Sequence, residues 1–165
     1  MKVNKVVVVD GFSDFPFSLG LPPFMSPEVR YVAGACWDRD ENTRVIYATL
    51  DDLRTGRKAS LLDGTDLVFV YAGMKEASPL LRPSDGGEIA QVSDIKDIVD
   101  YVAYLECPKI LGGPYALARN GNIDEKLGFD AVVTGDISKY AHELLAEGGR
   151  IGGLDPSLQR TNQDV

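Results

Sequence analysis

The sequence has few of the side chains that most often perform metal and nucleophilic chemistry. Its 165 residues include two cysteines, Cys36 and Cys107, and a single histidine, His142. Cysteines far apart in the sequence and inside apolar segments predict reduced, buried thiols rather than a disulfide framework or a metal site. His142 lies in a predicted helix, KYAHELL, where a surface position is expected. Without a paired serine or cysteine nucleophile, a hydrolytic triad has no support.

Long apolar runs and an excess of positive charge are also missing. No apolar segment approaches the roughly 20 residues that span a bilayer, and Met1-Lys2-Val3 leads straight into a strand-like run rather than a signal peptide. A cytoplasmic protein without a membrane partner is therefore expected. Seventeen basic residues against 25 acidic ones give a net charge of −8. Because this field repels phosphate backbones, we expect no nucleic-acid partner.

Apolar, β-branched segments alternate with helical patterns along the chain. KVVVV at 5–9 shows no polar alternation, which is typical of a strand covered on both faces of a parallel sheet. Further strands are predicted at 44–50, 66–73, 109–113 and 130–136, and helices begin at residues 26, 93 and 137, with a weak helix or turn at 51–58. The alternation predicts an α/β fold, an open, doubly wound, flavodoxin-like or Rossmann-like sheet of five parallel strands with helices on both faces.

The segments between these elements lack a sustained period. Residues 74–92 contain two prolines and a Gly-Gly pair, which predict a long loop, and residues 114–128 are irregular. The apolar positions of the first helix are expected at Val29, Val32, Ala33, Cys36 and Trp37, behind a cap at Ser26. One domain is predicted over 1–147, followed by a polar tail or linker at 148–165.

Glycine follows four of the predicted strands. In a parallel sheet these strand ends lie along one edge, where ligands bind at the switch in strand order. Each glycine could serve only a sharp turn, and Asp136 could simply cap the last helix. Together, however, the glycines predict a floor where backbone groups meet a flat ligand at close range. The four strand ends are Asp10-Gly11-Phe12, Tyr71-Ala72-Gly73, Gly112-Gly113-Pro114-Tyr115 and Thr134-Gly135-Asp136.

Several familiar ligand motifs are missing. No GxGxxG opens the first helix and no GxxxxGK[ST] is present, so the usual nicotinamide site and the phosphate-binding P-loop are disfavoured. A phosphoacceptor receiver domain shares the predicted architecture but needs an aspartate at the end of the third strand and a lysine at the end of the fifth. Those ends read YAG and TGD here.

The order of LGGPYA and then FDAVVTGDISKYAHELL, behind an apolar first strand, resembles the cobalamin-binding domain at the N-terminus of many radical SAM enzymes. In that family a GG-P strand end is followed about twenty residues later by D-x-V-V-x-G-E and a helix ending in E-L-L. The matching residues are Gly112-Gly113-Pro114, 130–136 and Glu143-Leu144-Leu145. The resemblance implies that 112–113 and 134–136 contact the nucleotide tail of a corrinoid, with 71–73 at the neighbouring strand end.

The chain departs from that family at two motifs. Cobalamin methyltransferase domains carry D-x-H-x-x-G after the first strand, with the histidine bound to cobalt, whereas this chain has Asp10 followed by Phe12 and Phe15. The resemblance thus implies a lower cobalt face without a protein ligand. Radical SAM chemistry needs C-x-x-x-C-x-x-C for its [4Fe-4S] cluster, and two distant cysteines cannot supply it. The cluster and S-adenosylmethionine would belong to a separate catalytic domain, in cis or in trans.

The resulting hypothesis is a corrinoid-binding domain that acts with a radical SAM enzyme, such as a methyltransferase, and is not itself catalytic. One alternative is a degenerate domain of the same fold that recognises a protein partner or substrate, with Leu80-Leu81 in the loop 74–92 as the contact. Another is a flavin or nucleotide binder that uses the same edge of the sheet.

Overall fold

The computed structural model describes residues 2–11, 26–73 and 95–151. Five strands form one parallel sheet in the order β2-β1-β3-β4-β5, which confirms the predicted α/β fold. The order reverses between β1 and β3, where this class of sheet has its topological switch. The strands are β1 (Lys5–Gly11), β2 (Arg44–Thr49), β3 (Leu67–Ala72), β4 (Lys109–Gly112) and β5 (Ala131–Val132).

Helices cover both faces of the sheet, as the apolar strands require. Among the described residues these are α1 (Pro27–Arg39), α2 (Leu50–Arg54), α3 (Ala59–Leu62), α4 (Ile95–Val102), α5 (Pro114–Ala118) and α6 (Ile137–Ala146), with a 3₁₀ turn at Glu125–Leu127. Within these ranges no helix is both long and apolar enough to cross a bilayer.

Alternate residues of the central strands enter two separate cores. Val6, Val8 and Phe69 pack under α1 and α6, where Tyr140 is fully buried. Val7 and its alternating neighbours pack against α2, α4 and α5 on the opposite face. Because successive side chains of a strand point to opposite faces, the continuous apolar run of β1 supplies both cores.

Three segments differ from the sequence prediction. The fifth strand was expected over 130–136, but it comprises only Ala131–Val132. Residues 114–128 were expected to be irregular, but they contain α5 and the 3₁₀ turn. Pro114 suits the first turn of a helix, and Ala116 is buried in the core below it. The second strand was expected to reach residue 50, but it ends at Thr49, whose side chain forms a capping box with Asp52 and begins α2.

The start of α1 and one of its predicted core residues also differ from expectation. Ser26 precedes α1, but its side chain makes no cap hydrogen bond. Its hydroxyl instead donates to Asp10, 2.9 Å away. Trp37 was expected to face the core, but it is 51% exposed, and its indole N–H donates to the carbonyl of Thr43 at 3.0 Å. An indole needs such a partner, and this one lies at the rim of the core.

Candidate ligand-binding cleft

A cleft of about 350 Å³ lies at the carboxyl edge of the sheet. It is bordered by the ends of β3, β4 and β5 and by the first turns of α1, α5 and α6. Ligands of doubly wound sheets bind along this edge, and the volume is near the lower end of the ~300–1,000 Å³ that small-molecule sites occupy. The lining residues are Glu28, Tyr31, Tyr71, Gly113, Pro114, Leu117, Thr134, Gly135, Asp136, Ile137 and Ser138.

The structure brings six of the residues predicted from the strand ends into this one cleft. They come from three strand ends that are separated by up to 65 positions in the sequence, and the parallel sheet places them side by side. The expectation that the glycine-rich strand ends share one edge of the sheet agrees with this arrangement. The six residues are Tyr71, Gly113, Pro114, Thr134, Gly135 and Asp136.

Asp10, predicted at the first strand end, does not line the cleft. It is 3% exposed, and its carboxylate accepts from the backbone N–H and hydroxyl of Ser26, each at 2.9 Å. The hydroxyl of Tyr47 donates to the same carboxylate at 3.2 Å. Asp10 therefore ties the start of α1 to the end of β1 and β2, a role in positioning the helix whose first turn borders the cleft.

Four other predicted residues contact the chain itself instead of the cleft. A Cβ atom on Gly11 would overlap the side chain of Ile98 in α4. Ala72 is fully buried on the α4 side of the sheet, and Gly73 donates through its N–H to the carbonyl of Gly11 at 3.4 Å. Tyr115 packs on that same side, and the guanidinium of Arg119 lies 4.7 Å from its ring centre.

Gly112 and Gly113 are required by contacts inside the protein. A Cβ on Gly112 would lie 2.5 Å from Cδ1 of Ile137, the first residue of α6. Gly113 has φ = 94°, and a Cβ there would lie 2.7 Å from the carbonyl oxygen of Ala72. Both glycines thus let β4 and its strand end approach their neighbours closely. Of the two, Gly113 also lines the cleft.

Gly135 differs from these glycines. A Cβ built on it meets nothing within 4 Å, its φ is not in the left-handed region, and the residue is exposed. No contact with a described neighbour requires glycine at this position. An added side chain there would project into open space beside the cleft, which makes Gly135 the position at which the site can be blocked without backbone strain.

Asp136 is the cap of α6, as the simpler interpretation of its position predicted. Its Oδ1 accepts from the N–H of Ser138 at 2.8 Å, the N–H of Lys139 at 3.1 Å and the hydroxyl of Ser138 at 2.6 Å. The Ser138 hydroxyl is the largest cause of a lowered pKa of Asp136, so the carboxylate is ionised at neutral pH. Capping uses one carboxylate oxygen and leaves the residue at the edge of the cleft.

Thr134 carries a buried polar atom that the described residues leave unsatisfied. Its Oγ1 is inaccessible to solvent and has no hydrogen-bond partner in residues 2–11, 26–73 and 95–151. Buried hydroxyls are nearly always paired, because an unmade hydrogen bond costs about 1–3 kcal/mol.

Glu28 and Tyr31 are lining residues that the sequence analysis did not select. The hydroxyl of Tyr71 is hydrogen-bonded to the carboxylate of Glu28. Burial, and then this neighbouring carboxylate, raise the pKa of Tyr71, so the phenol stays protonated. Tyr31, one helical turn after Glu28, is 64% exposed. The signal that could have located them is positional, since the first turn of the helix after a strand also borders the carboxyl edge.

Other predicted groups do not enter the cleft. His142 lies on α6, and its Nε2 is 2.9 Å from the carboxylate of Asp38 on α1, so it bridges two helices. Cys36 is buried and Cys107 is half-buried, and both are free thiols. Burial raises the pKa of Cys36 to about 12. Phe12 and the loop 74–92 lie outside the described residues, within which no cluster of three potential metal ligands occurs.

Comparisons with known proteins identify relatives without assigning an activity. No protein-family profile matches the chain. An uncharacterized protein of Methanocaldococcus jannaschii is 29% identical over 174 residues, which cover the whole of this chain and 30% of that protein. An uncharacterized protein of Archaeoglobus fulgidus is 34% identical over 71 residues, which are 42% of this chain and 13% of that protein. The chain thus spans less than a third of the length of either relative.

Proposed function

We propose that this domain binds a small organic ligand by inserting a flat ring into the cleft, and that the ligand is a corrinoid held by its nucleotide tail. The observation that carries the proposal is the convergence of Gly113, Thr134 and Gly135 on one cleft. These are the positions at which the sequence resembles cobalamin-binding domains. The unsatisfied hydroxyl of Thr134 beside this cleft supports a ligand there.

The size of the cleft limits which part of a corrinoid can enter. A volume of about 350 Å³ accommodates one bicyclic base but is far too small for the corrin macrocycle. The macrocycle would therefore remain outside, over the edge of the sheet. Tyr31 and Leu117, which are 64% and 59% exposed, offer apolar surface at the rim of the cleft. The protein would supply position, while the chemistry would belong to the cofactor and to a separate domain.

The length of one relative leaves room for a second domain in the same chain. The matching segment is 30% of the Methanocaldococcus jannaschii protein, so a similar domain there is joined to a longer chain. A radical SAM catalytic domain that transfers a methyl group remains our proposal for that partner. A second candidate function is recognition of a protein by a domain that no longer binds the cofactor, and the exposed Tyr31 and Leu117 favour it.

Binding of hydroxocobalamin tests the proposal directly. Purified protein is mixed with hydroxocobalamin and desalted, and the visible spectrum of the protein fraction is recorded. We expect retention by the wild type and loss of at least about tenfold in affinity for Gly135→Leu, whose side chain would occupy space that a ligand needs. Ala59→Leu, at an exposed position of α3 that does not line the cleft, is the matched control and should retain the corrinoid.

Two results would contradict the corrinoid proposal. One is a wild-type protein that retains no corrinoid, and the other is equal retention by Gly135→Leu and wild type. Gly113→Leu is a poor probe, because its positive φ and its contact with Ala72 would destabilise the fold itself. A preparation that instead retains FMN would favour the flavin alternative.

A further inference from the structure

The charged side chains among the described lining residues of the cleft are all acidic. Among the described residues that line it, Glu28 and Asp136 are the charged ones, and none is a lysine, arginine or histidine. Glu28 is half-buried, which strengthens its field relative to a fully solvated carboxylate. Lys139 contributes to the lowered pKa of Asp136 but does not line the cleft. A ligand in this cleft therefore meets two carboxylates, with no counter-charge on the lining residues in 2–11, 26–73 and 95–151.

The two carboxylates lie at the helix ends that would otherwise attract an anion. Glu28 is in the first turn of α1, and Asp136 caps α6. A helix N-terminus favours negative charge because its first N–H groups are unpaired. Here the chain's own acids satisfy that preference, since Asp136 already accepts from two N–H groups of α6. A phosphate at these positions would compete with a carboxylate that is already in place.

The two carboxylates at the cleft keep free acceptor positions. Three hydrogen bonds to Asp136 all go to Oδ1, and its Oδ2 accepts none among the described residues. Glu28 accepts from Tyr71 through one bond and retains further acceptor positions on its carboxylate. These free carboxylate positions therefore favour hydrogen-bond donors on a ligand.

Aromatic and apolar side chains complete the lining. Tyr31 and Tyr71 offer two rings, and Pro114 and Leu117 offer aliphatic surface. Flat rings bind well between such groups, and cations are attracted to the faces of tyrosine rings. We infer that the cleft selects a flat, nitrogen-bearing ring that carries hydrogen-bond donors or a positive charge, and that it rejects rings bearing a phosphate or carboxylate at the inserted end. This inference rests on the proposal that the cleft binds a ring-bearing ligand.

Three small aromatic compounds of equal size and different charge test this selectivity. Benzamidine is a cation, benzamide is neutral and benzoate is an anion at pH 7. Each is titrated into ¹⁵N-labelled protein, and the backbone amide shifts of Leu117, Gly135 and Ser138 are followed. We expect benzamidine to bind at least about tenfold more tightly than benzoate, with benzamide between them.

Two variants separate the acids of the cleft from the overall charge of the protein. Glu28→Gln should reduce the preference for benzamidine over benzoate by about threefold, because the lining loses one of its two charges. Glu106→Gln removes an exposed charge beyond α4 and should leave the preference unchanged. Benzoate binding as tightly as benzamidine would overturn the inference, as would binding of neither compound or an equal effect of the two variants.

The hydroxocobalamin experiment distinguishes this inference from the proposed function. Retention of hydroxocobalamin together with equal binding of benzoate and benzamidine would leave the corrinoid proposal standing and refute the charge selectivity. A preference for benzamidine that is weakened by Glu28→Gln, without corrinoid retention, would support the selectivity of the cleft and refute the corrinoid proposal.

Discussion

Gly113 lies directly against the backbone of Ala72, so that a Cβ atom on Gly113 would be 2.7 Å from the Ala72 carbonyl oxygen. The glycine has φ = 94° and ψ = −173°, a backbone conformation that residues other than glycine rarely adopt. The strand end of β4 thus turns into α5 across the end of β3 with no room for a side chain. The Gly-Gly-Pro sequence has this structural cause whether or not a ligand is bound.

Replacement of Gly113 by alanine should strongly destabilise the protein. The backbone strain and the overlap with Ala72 together are expected to lower the free energy of unfolding by about 3 kcal/mol. Gly34→Ala is the matched control, because Gly34 is in α1 and a Cβ there meets nothing within 4 Å. That change should stabilise the protein by about 0.5–1 kcal/mol. Urea unfolding curves measure both, and equal effects of the two substitutions would contradict the interpretation.

Gly112 and Ile137 should show energetic coupling. An added Cβ on Gly112 would lie 2.5 Å from Cδ1 of Ile137, and Ile137→Val removes that carbon atom. We expect Gly112→Ala to cost about 2 kcal/mol and Ile137→Val about 1 kcal/mol in the free energy of unfolding. The loss in the double variant should be smaller than the sum of the two single losses by about 1 kcal/mol. Additive losses in a double-mutant cycle would show that the two residues do not compete for this space.

The contribution of Asp136 to stability should depend on pH. The pKa of Asp136 in the folded protein is lower than its usual value, mainly because the Ser138 hydroxyl donates to it. A lowered folded-state pKa contributes stability above the unfolded-state pKa of about 3.9, and this stability is lost as the pH falls through the folded-state pKa.

Asp136→Asn keeps a capping oxygen but removes the charge. At pH 7 the wild type should exceed the variant by about 0.3–1 kcal/mol in the free energy of unfolding, and the difference should shrink below about pH 4. Urea unfolding at pH 7, 5, 4 and 3 measures it, with Asp100→Asn, at an exposed position of α4, as the control. A difference that grows as the pH falls would have the wrong sign for this cap.

Much of the fold could be predicted because its signals are local. The KVVVV run of β1 and the spacing of apolar residues in α6 follow the periods of a buried strand and an amphipathic helix. The cap at Asp136 was predicted as one of two alternatives, since an aspartate before a helix pattern has few other local roles. Helix α5 was missed because it has only five residues, Pro114–Ala118, which are too few for a helical period to be recognised.

The candidate site was predictable only in part. Glycines at strand ends pointed to the carboxyl edge, and Gly113, Thr134 and Gly135 do line the cleft. Glu28 and Tyr31 were missed, because their position beside residues more than 100 positions later depends on how α1 packs against α6. Ser26 was assigned as a simple cap, yet its hydroxyl is used by the buried Asp10. Such pairings depend on distance in space, which local patterns do not encode.

The sequence by itself determined the class of fold, the alternation of strands and helices, and the edge of the sheet where the cleft lies. Apolar periodicity and turn chemistry suffice for these features, since both act over a few neighbouring residues. Tertiary structure decided beside which glycines other residues of the chain occupy the space for a side chain, and beside which glycines that space is empty. Ile137 and Ala72 occupy the space beside Gly112 and Gly113, whereas Gly135 stays free beside Glu28 and Asp136. Close packing between elements distant in sequence makes that distinction.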